Sequence, residues 1–134
     1  MFAYFNSSNA FSDEVYVVTL NRNFTELSKN QVKMIFRGKS TTLSGRKISL
    51  LDLSENSDIR ASFYKNLLRK NATQMEVQWA SLAFSGKLNT PKELPSDDFS
   101  LVISWLKENP NGLAYYSAPL TGTDINVLYK QDIK

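Results

Sequence analysis

Short apolar runs alternate with segments of helical spacing along most of this chain. Four runs predict strands: residues 15–20, 48–53, 113–116 and 125–129. The Ser44-Gly45 turn precedes the second strand, and a turn region at residues 119–123 separates the last two. Helical spacing is therefore expected in the segments between these runs.

The first two helices have clear start signals. Ser28 with Gln31 three residues later forms a capping box, and Gly38 ends the helix that follows. Ser57 caps the second helix. The turn around Gly38 reads Phe-Arg-Gly-Lys and is echoed around Gly86 as Phe-Ser-Gly-Lys. Because glycine adopts the left-handed conformation that ends helices, both turns are expected to be helix ends rather than ligand sites.

Two more helices are predicted before the last strands. Thr73 with Glu76 indicates a capping box for the third helix, and the fourth begins after Pro95-Ser96 and ends near residues 109–112. The apolar residues expected on the buried faces of the four helices are Val32, Ile35 and Phe36; Ile59, Phe63 and Leu67; Met75, Trp79, Leu82 and Ala83; and Phe99, Val102, Ile103 and Leu106. Strands that alternate with helices predict an α/β domain with a mixed sheet flanked by about four helices.

The size of the chain favours one domain. Its 134 residues, 42% of them hydrophobic, suffice for one ordinary core, which we expect to span residues 13–134. Residues 1–12 begin with an apolar, aromatic stretch and are expected to be either the end of a secretory signal or a flexible tail. The signal interpretation predicts a periplasmic or secreted protein. No other stretch approaches the ~20 apolar residues of a membrane span.

The chain contains no histidine and no cysteine. Imidazole bases, thiolate nucleophiles, disulfides and the commonest transition-metal ligands are therefore excluded. The carboxylates Asp52, Glu55 and Asp58 are the only acidic cluster near a hydroxyl, and no nucleophile and base pair accompanies them. We expect a protein that is not an enzyme and that has no metal site and no cofactor.

The charge of the chain is modestly basic. Sixteen Lys and Arg against thirteen Asp and Glu give a net charge of +3, spread along the chain rather than gathered in a run. A basic stripe with interleaved exposed aromatic residues is missing from the sequence, so a nucleic-acid partner is not expected.

A series of segments, taken in order, resembles the phosphate ABC transporter substrate-binding protein-like family, small relatives with the type II periplasmic binding protein fold. The segments are Leu27-Ser28, Ile35-Phe36-Arg37-Gly38-Lys39, Gly45-Arg46-Lys47-Ile48, Ser57-Asp58-Ile59-Arg60-Ala61-Ser62-Phe63, Trp79, Phe84-Ser85-Gly86-Lys87, Pro91-Lys92-Glu93-Leu94 and Gly112-Leu113-Ala114-Tyr115. The resemblance covers residues 15–129. It implies a single lobe of the type II fold, because proteins that close two lobes over a ligand need roughly twice this length.

The resemblance also implies an oxyanion site at the start of the second helix. Ser57 would donate its hydroxyl, Asn56 and Asp58 would offer backbone amides, Arg60 would add a bidentate contact, and Ser54 is a weaker candidate from the same loop. The positive end of a helix dipole and its exposed N–H groups favour an anion there.

Each of these residues also has an interpretation without a ligand. Ser57 would be an ordinary N-cap, and Arg60 would be a surface side chain or pair with Glu55 or Asp58. Where the phosphate binders have a Ser-Gly-Thr turn, this chain has Asn56-Ser57-Asp58. The carboxylate of Asp58 repels an anion unless it accepts the proton of a monoprotonated one.

The resulting hypothesis is a periplasmic solute-binding-like protein that binds phosphate or another tetrahedral oxyanion and serves ABC transport or sensing. Its expected partners are a membrane transporter or sensor, and a homodimer would rebuild a closed cleft. The alternative is a protein-interaction or signalling module on the same fold that has lost its small ligand. Trp105, Tyr115 and Tyr116 would then be candidate anchors, although such aromatic residues are more often core.

Overall fold

The computed structural model describes residues 14–86, 90–117 and 124–132. Its strands are β1 (Glu14–Thr19), β2 (Thr42–Leu43), β3 (Arg46–Lys47), β4 (Ser49–Asp52), β5 (Lys92–Glu93), β6 (Gly112–Ser117) and β7 (Asn126–Asp132). Its helices are α1 (Lys29–Phe36), α2 (Asp58–Phe63), α3 (Ala72–Phe84) and α4 (Phe99–Glu108), and α2 continues directly into a π-helical turn at Tyr64–Leu68. The predicted tail at residues 1–12, the turn region at residues 119–123 and Lys87 lie outside the described residues.

Five strands form one mixed sheet in the order β5-β4-β6-β1-β7. Strand β4 is parallel to both β5 and β6, whereas β1 is antiparallel to β6 and β7, with an irregularity between Val17 and Val18 opposite β7. Strands β2 and β3 form a separate two-stranded hairpin whose turn is Ser44-Gly45. The predicted α/β class with a mixed sheet and four helices is confirmed.

The core lies between the sheet and the helices. Its centre is aromatic: the rings of Phe63 and Tyr115 stack with centroids 4.0 Å apart, and Phe36 meets both of them edge-on. Stacked and edge-to-face rings add to the hydrophobic stabilisation that their burial provides. This cluster joins α1, α2 and β6, and it holds α2 against the sheet.

The helix starts and ends agree with the sequence except at α3. Ser28 caps α1 in a capping box with Gln31, and both Gly38 and Gly86 have positive φ angles, of 80° and 76°. The prediction of a Thr73 and Glu76 box for α3 is wrong, because the box is formed two residues earlier by Asn71 and Gln74. Asparagine ranks at least as high as threonine at the N-cap, so the earlier start is favoured.

The π-helical turn that continues α2 ends at Leu68. Arg69, the residue that follows it, adopts the left-handed conformation with φ 60° and ψ 36°. Leu67 and Leu68 are both buried within the turn, although adjacent residues of a regular helix rarely share a face so fully. None of the described helices combines the length and the apolar character needed to cross a bilayer.

Candidate functional site

The loop between β4 and α2 is fixed by hydrogen bonds from its own residues. Ser57 is the N-cap of α2: its Oγ accepts a hydrogen bond from the backbone N–H of Arg60 at 3.0 Å. The N–H of Ser57 donates to the carbonyl of Ser54 at 2.9 Å. Ser57 is buried, whereas Asn56 and Asp58 on either side of it are exposed. The predicted N-cap is confirmed, and its hydroxyl oxygen is already engaged within the protein.

Free backbone N–H groups remain at the start of α2. The N–H groups of Asn56, Asp58 and Ile59 donate no hydrogen bond to any other described residue. This is the usual state of the first turn of a helix, whose first four N–H groups have no intrahelical acceptor. These groups and the helix dipole give the exposed side of the loop a partial positive charge.

Arg60 is neither a surface side chain nor paired with Glu55 or Asp58, so neither of its two interpretations without a ligand holds. Only 4% of its surface is exposed. Its Nη1 donates to the carbonyl of Leu53 at 2.9 Å and lies 3.4 Å from the Glu93 carboxylate. Its Nε lies 3.7 Å from the carboxylate of Asp52 and has no hydrogen-bond partner. The guanidinium therefore ties the loop after β4 to the sheet.

Asp52, the last residue of β4, is the centre of this polar network. One carboxylate oxygen accepts a hydrogen bond from the Tyr64 hydroxyl and the other accepts one from Tyr115. The Tyr115 hydroxyl also accepts a hydrogen bond from the backbone N–H of Leu53 at 3.3 Å. The guanidinium of Arg60 lies over the Tyr64 ring, 5.2 Å from its centroid. A buried carboxylate is thus matched by one cation and two hydroxyl donors, as burial of a charge requires.

Burial controls the protonation of the network. Burial raises the pKa of Asp52 above its usual value, and the hydrogen bonds from Tyr115 and Tyr64 and the charge of Arg60 oppose this rise only in part. Burial together with the adjacent Asp52 charge raises the pKa of both tyrosine hydroxyls. Burial would lower the pKa of Arg60, but the Asp52 carboxylate and the neighbouring groups outweigh it and raise that pKa. Arg60 is therefore charged, and both tyrosines remain donors at neutral pH.

The acidic cluster considered in the sequence does not act as a unit. Asp52 is buried in the network with Arg60, whereas Glu55 and Asp58 are exposed and pair with no described cation. Among the residues that the structure describes, no three carboxylate, histidine or cysteine side chains come together as a metal site would require.

Arg60 lines two clefts. The larger, which we call the basic cleft, has a volume of about 600 Å³ between α2 and the start of α3, and its charged lining residues are Glu55, Arg60, Lys65, Arg69 and Lys70. The smaller has a volume of about 190 Å³ and is lined by carboxylates of the network, Asp52 and Glu93, as well as by Arg60. Four cations against one carboxylate make the basic cleft attractive to anions.

Sequence reasoning missed most of the network. The sequence indicated Arg60 as a site residue but did not indicate its neighbours Tyr64 and Glu93. Asp52 was considered only as part of an acidic cluster, and Tyr115 only as a candidate anchor for a partner or as core. One local signal was available, since Asp52 interrupts an otherwise apolar strand, Leu50-Leu51-Asp52-Leu53. A carboxylate in a buried strand requires a partner, although the sequence does not say which one.

Solved structures of phosphate receptors share this fold. An ABC-type phosphate transport receptor from Vibrio cholerae superposes with a TM-score of 0.63 at 15% identity, over 93% of this chain and 52% of the receptor. A protein with bound phosphate from Clostridium perfringens, assigned as a phosphate ABC transporter substrate-binding protein, gives a TM-score of 0.63 at 17% identity, over 85% of this chain and 43% of that one. PstS from Borrelia burgdorferi superposes with a TM-score of 0.56 at 14% identity, over 77% of this chain and 40% of PstS.

No protein-family model and no curated protein matches the chain. The chain spans about half of the length of the solved structures that it matches, or somewhat less. Its mixed five-stranded sheet and four helices therefore form an α/β fold that is shared, over that part of their length, with the phosphate receptors of ABC transport.

Proposed function

We propose that this domain is a single periplasmic or secreted lobe that binds a tetrahedral oxyanion, with inorganic phosphate as the first candidate, and acts with an ABC transporter or a sensor. The observation that carries the proposal is the fold shared with receptors whose ligand is phosphate. The anion would be held at the start of α2, where the N–H groups of Asn56 and Asp58 have no protein acceptor.

The rigidity of the loop supports this site. The cap formed by Ser57, its hydrogen bond to Ser54 and the contact of Arg60 with Leu53 hold the loop in place without a ligand. A site that is ordered before binding loses little conformational entropy when the ligand arrives. Because Ser57 Oγ already accepts a hydrogen bond, its hydroxyl proton remains available to donate to an anion.

The charges near the site favour a protonated oxyanion. Arg60 supplies positive charge from beneath the loop, but Asp52 and Glu93 offset it, and Asp58 adds an exposed carboxylate. Such carboxylates repel a fully ionised anion, whereas the P–OH group of monoprotonated phosphate can donate a hydrogen bond to one of them. Phosphate is therefore expected to bind more tightly than sulfate, which carries no proton at neutral pH.

Two isosteric variants with opposite changes of charge test the site by calorimetric titration with phosphate, sulfate and nitrate. Asn56→Asp adds a negative charge and is expected to weaken phosphate binding about two- to fivefold, the size of a screened interaction between exposed charges. Asp58→Asn removes a charge and is expected to strengthen sulfate binding more than phosphate binding. Asn30→Asp, at an exposed position on α1, is the matched control and should change neither phosphate binding nor sulfate binding.

Arg60→Ala is a poor test because it would leave the buried Asp52 carboxylate without its cation. The proposal fails if no tetrahedral anion binds at millimolar concentration, or if Asn30→Asp weakens binding as much as Asn56→Asp does. The absence of any binding would favour the interaction-module alternative. One observation supports that alternative: on α3, Phe84 is 95% exposed and Val77, seven residues earlier on the same face, is 65% exposed.

A further inference from the structure

A third cleft lies at the other end of β4 from the proposed oxyanion site. It has a volume of about 360 Å³ and lies where the C-terminal end of α1, the first residues of β4 and the C-terminal end of α4 meet. We call it the Trp105 cleft, after the tryptophan of α4 that lines it. Its volume falls within the range of about 300–1,000 Å³ typical of small-molecule sites.

One part of the Trp105 cleft is apolar. Ile35 is buried, and Ile48, Leu50 and Trp105 are each partly exposed at the cleft. The Trp105 ring lies directly against the backbone of Gly112, where an added Cβ atom would come within 2.5 Å of it. The absence of a side chain at Gly112 therefore allows the indole to pack against the backbone there. This surface suits an aromatic ring or a branched aliphatic group.

The hydroxyl groups that line the cleft have no hydrogen-bond partner among the described residues. The hydroxyls of Ser40, Thr41, Ser49 and Thr90 all line it, and none forms a hydrogen bond with another described residue. The Trp105 indole N–H likewise donates to no described acceptor. The Thr19 hydroxyl, by contrast, donates to the carbonyl of Gly112 at 2.8 Å. The cleft thus offers a set of unused hydrogen-bonding groups.

The charge of the cleft is wholly positive. Lys47 and Lys92 line it, and its described lining includes no carboxylate. Neither lysine forms an ion pair with a described residue. Glu93, the residue after Lys92, pairs with Arg60 and lines the small cleft beside Asp52. Two unpaired cations beside an apolar surface are complementary to a molecule that has an anionic end and an apolar body.

The walls of the cleft are fixed by backbone hydrogen bonds. The N–H of Ile48 donates to Thr41 at 3.0 Å, and the N–H of Ser40 donates to Met34 at 3.1 Å. On the α4 side, the Asn109 side chain donates to the carbonyl of Trp105 at 2.9 Å. The cleft is therefore formed before any ligand arrives.

We propose that the Trp105 cleft binds a small organic anion with a flat apolar body, of the aromatic carboxylate class. The apolar body packs on Trp105, Ile48 and Leu50, the carboxylate meets Lys47 and Lys92, and the free hydroxyls complete its hydrogen bonds. This site uses none of the residues of the proposed oxyanion site and stands independently of it.

The two tryptophans allow a direct test by nuclear magnetic resonance of the isotope-labelled protein. Trp105 lines the cleft, whereas Trp79 lies on α3 and only 6% of its surface is exposed. The probes are naphthoate, its neutral isostere naphthamide, and acetate, which has the charge without the apolar body. Increasing naphthoate is expected to shift the Trp105 indole N–H resonance until binding saturates, and to leave the Trp79 resonance unchanged. Naphthamide and acetate are expected to bind at least about fivefold more weakly, as the loss of one paired charge or of the apolar contact would cause.

Variants that replace one lysine with neutral glutamine show where in the cleft the carboxylate of naphthoate binds. Lys47→Gln and Lys92→Gln are each expected to weaken naphthoate about three- to fivefold, the scale of a half-exposed ion pair. Lys29→Gln, an exposed lysine at the start of α1, is the matched control and should leave binding unchanged. The proposal is overturned if naphthoate does not shift Trp105, if naphthamide binds equally well, or if Lys29→Gln weakens binding as much as Lys47→Gln.

Discussion

The replacement Tyr115→Phe tests the buried polar network by removing a single oxygen atom. The hydroxyl of Tyr115 donates to Asp52 and accepts from the backbone N–H of Leu53, and all three residues are buried. The phenylalanine ring keeps its stacking on Phe63, because that contact involves the ring face and not the hydroxyl. Only polar interactions are therefore lost.

The expected destabilisation follows from those two hydrogen bonds. Losing a hydrogen bond to a charged group costs about 1.5–3 kcal/mol, and leaving the Leu53 N–H buried and unpaired costs about 1–3 kcal/mol. Because the two share one hydroxyl and are not additive, we expect Tyr115→Phe to lower the free energy of unfolding by about 2–4 kcal/mol. Tyr64→Phe removes only a donor to Asp52 and should cost less, about 1.5–3 kcal/mol.

Urea unfolding followed by circular dichroism measures this effect. With a slope of about 2 kcal/mol per molar urea, the middle of the usual range, the midpoint should fall by about 1–2 M for Tyr115→Phe. Tyr129→Phe is the matched control, because its hydroxyl contacts only the partly exposed Gln131 side chain, at 2.8 Å. We expect that variant to lie within about 0.5 kcal/mol of the parent protein.

The pH dependence of the penalty is a second check. The hydrogen bond from Tyr115 favours the ionised form of Asp52, so its loss raises the pKa of Asp52 still further. The penalty should therefore be larger above the pKa that Asp52 has in the folded protein, where the carboxylate is ionised, than below it, where the carboxyl group is protonated. If Tyr115→Phe cost no more than Tyr129→Phe, the assignment of Asp52 as a buried charge held by this hydroxyl would be refuted.

Three further outcomes follow from the packing, the caps and the titration of Asp52. Gly112→Ala places a Cβ atom 2.5 Å from the Trp105 ring, and this overpacking is expected to cost about 1–3 kcal/mol and to shift the Trp105 fluorescence maximum. Asn71→Ala should destabilise α3 by about 1 kcal/mol through loss of its cap, whereas Thr73→Ala should be nearly neutral, and thermal melts of the two variants decide which residue caps the helix. Folding raises the pKa of Asp52 above its ordinary value of 3.8, so between the unfolded-state and folded-state pKa values the folded protein binds more protons than the unfolded chain. The free energy of unfolding, measured relative to that of Asp52→Asn, should therefore fall as the pH rises through this interval. A difference between the two proteins that does not change with pH in urea titrations would contradict this.

Local signals in the sequence were sufficient for the helices and the longer strands. The capping box at Ser28, the N-cap at Ser57 and the glycines that end α1 and α3 each depend on residues within a few positions of one another, and the structure confirms them. At α3 two cap signals overlap, and the prediction used the one at Thr73, whereas the helix uses the one at Asn71.

The parts that the sequence did not reveal depend on distant pairings. Strand β5 is only Lys92–Glu93, and it exists because it pairs with β4 rather than because of its own composition. The sequence indicated an oxyanion, or alternatively Glu55 or Asp58, as the partner of Arg60. In the structure its side chain meets Asp52 and Glu93, which the pairing of β4 with β5 brings together. The oxyanion role proposed for Ser54, Asn56, Ser57, Asp58 and Arg60 stays a prediction, since binding depends on a ligand that sequence patterns cannot identify.

The position of β1 in the sheet has a consequence for how the chain folds. Both neighbours of β1 in the sheet, β6 and β7, lie far from it along the chain: Val15 pairs with Ser117 and Glu14 with Asp132. Closing loops of this length before any pairing is gained makes folding slow, on the order of milliseconds to seconds. Until then both edges of an apolar strand are exposed to other chains. Until β6 and β7 pair with it, β1 is therefore the segment from which we expect aggregation during refolding to begin.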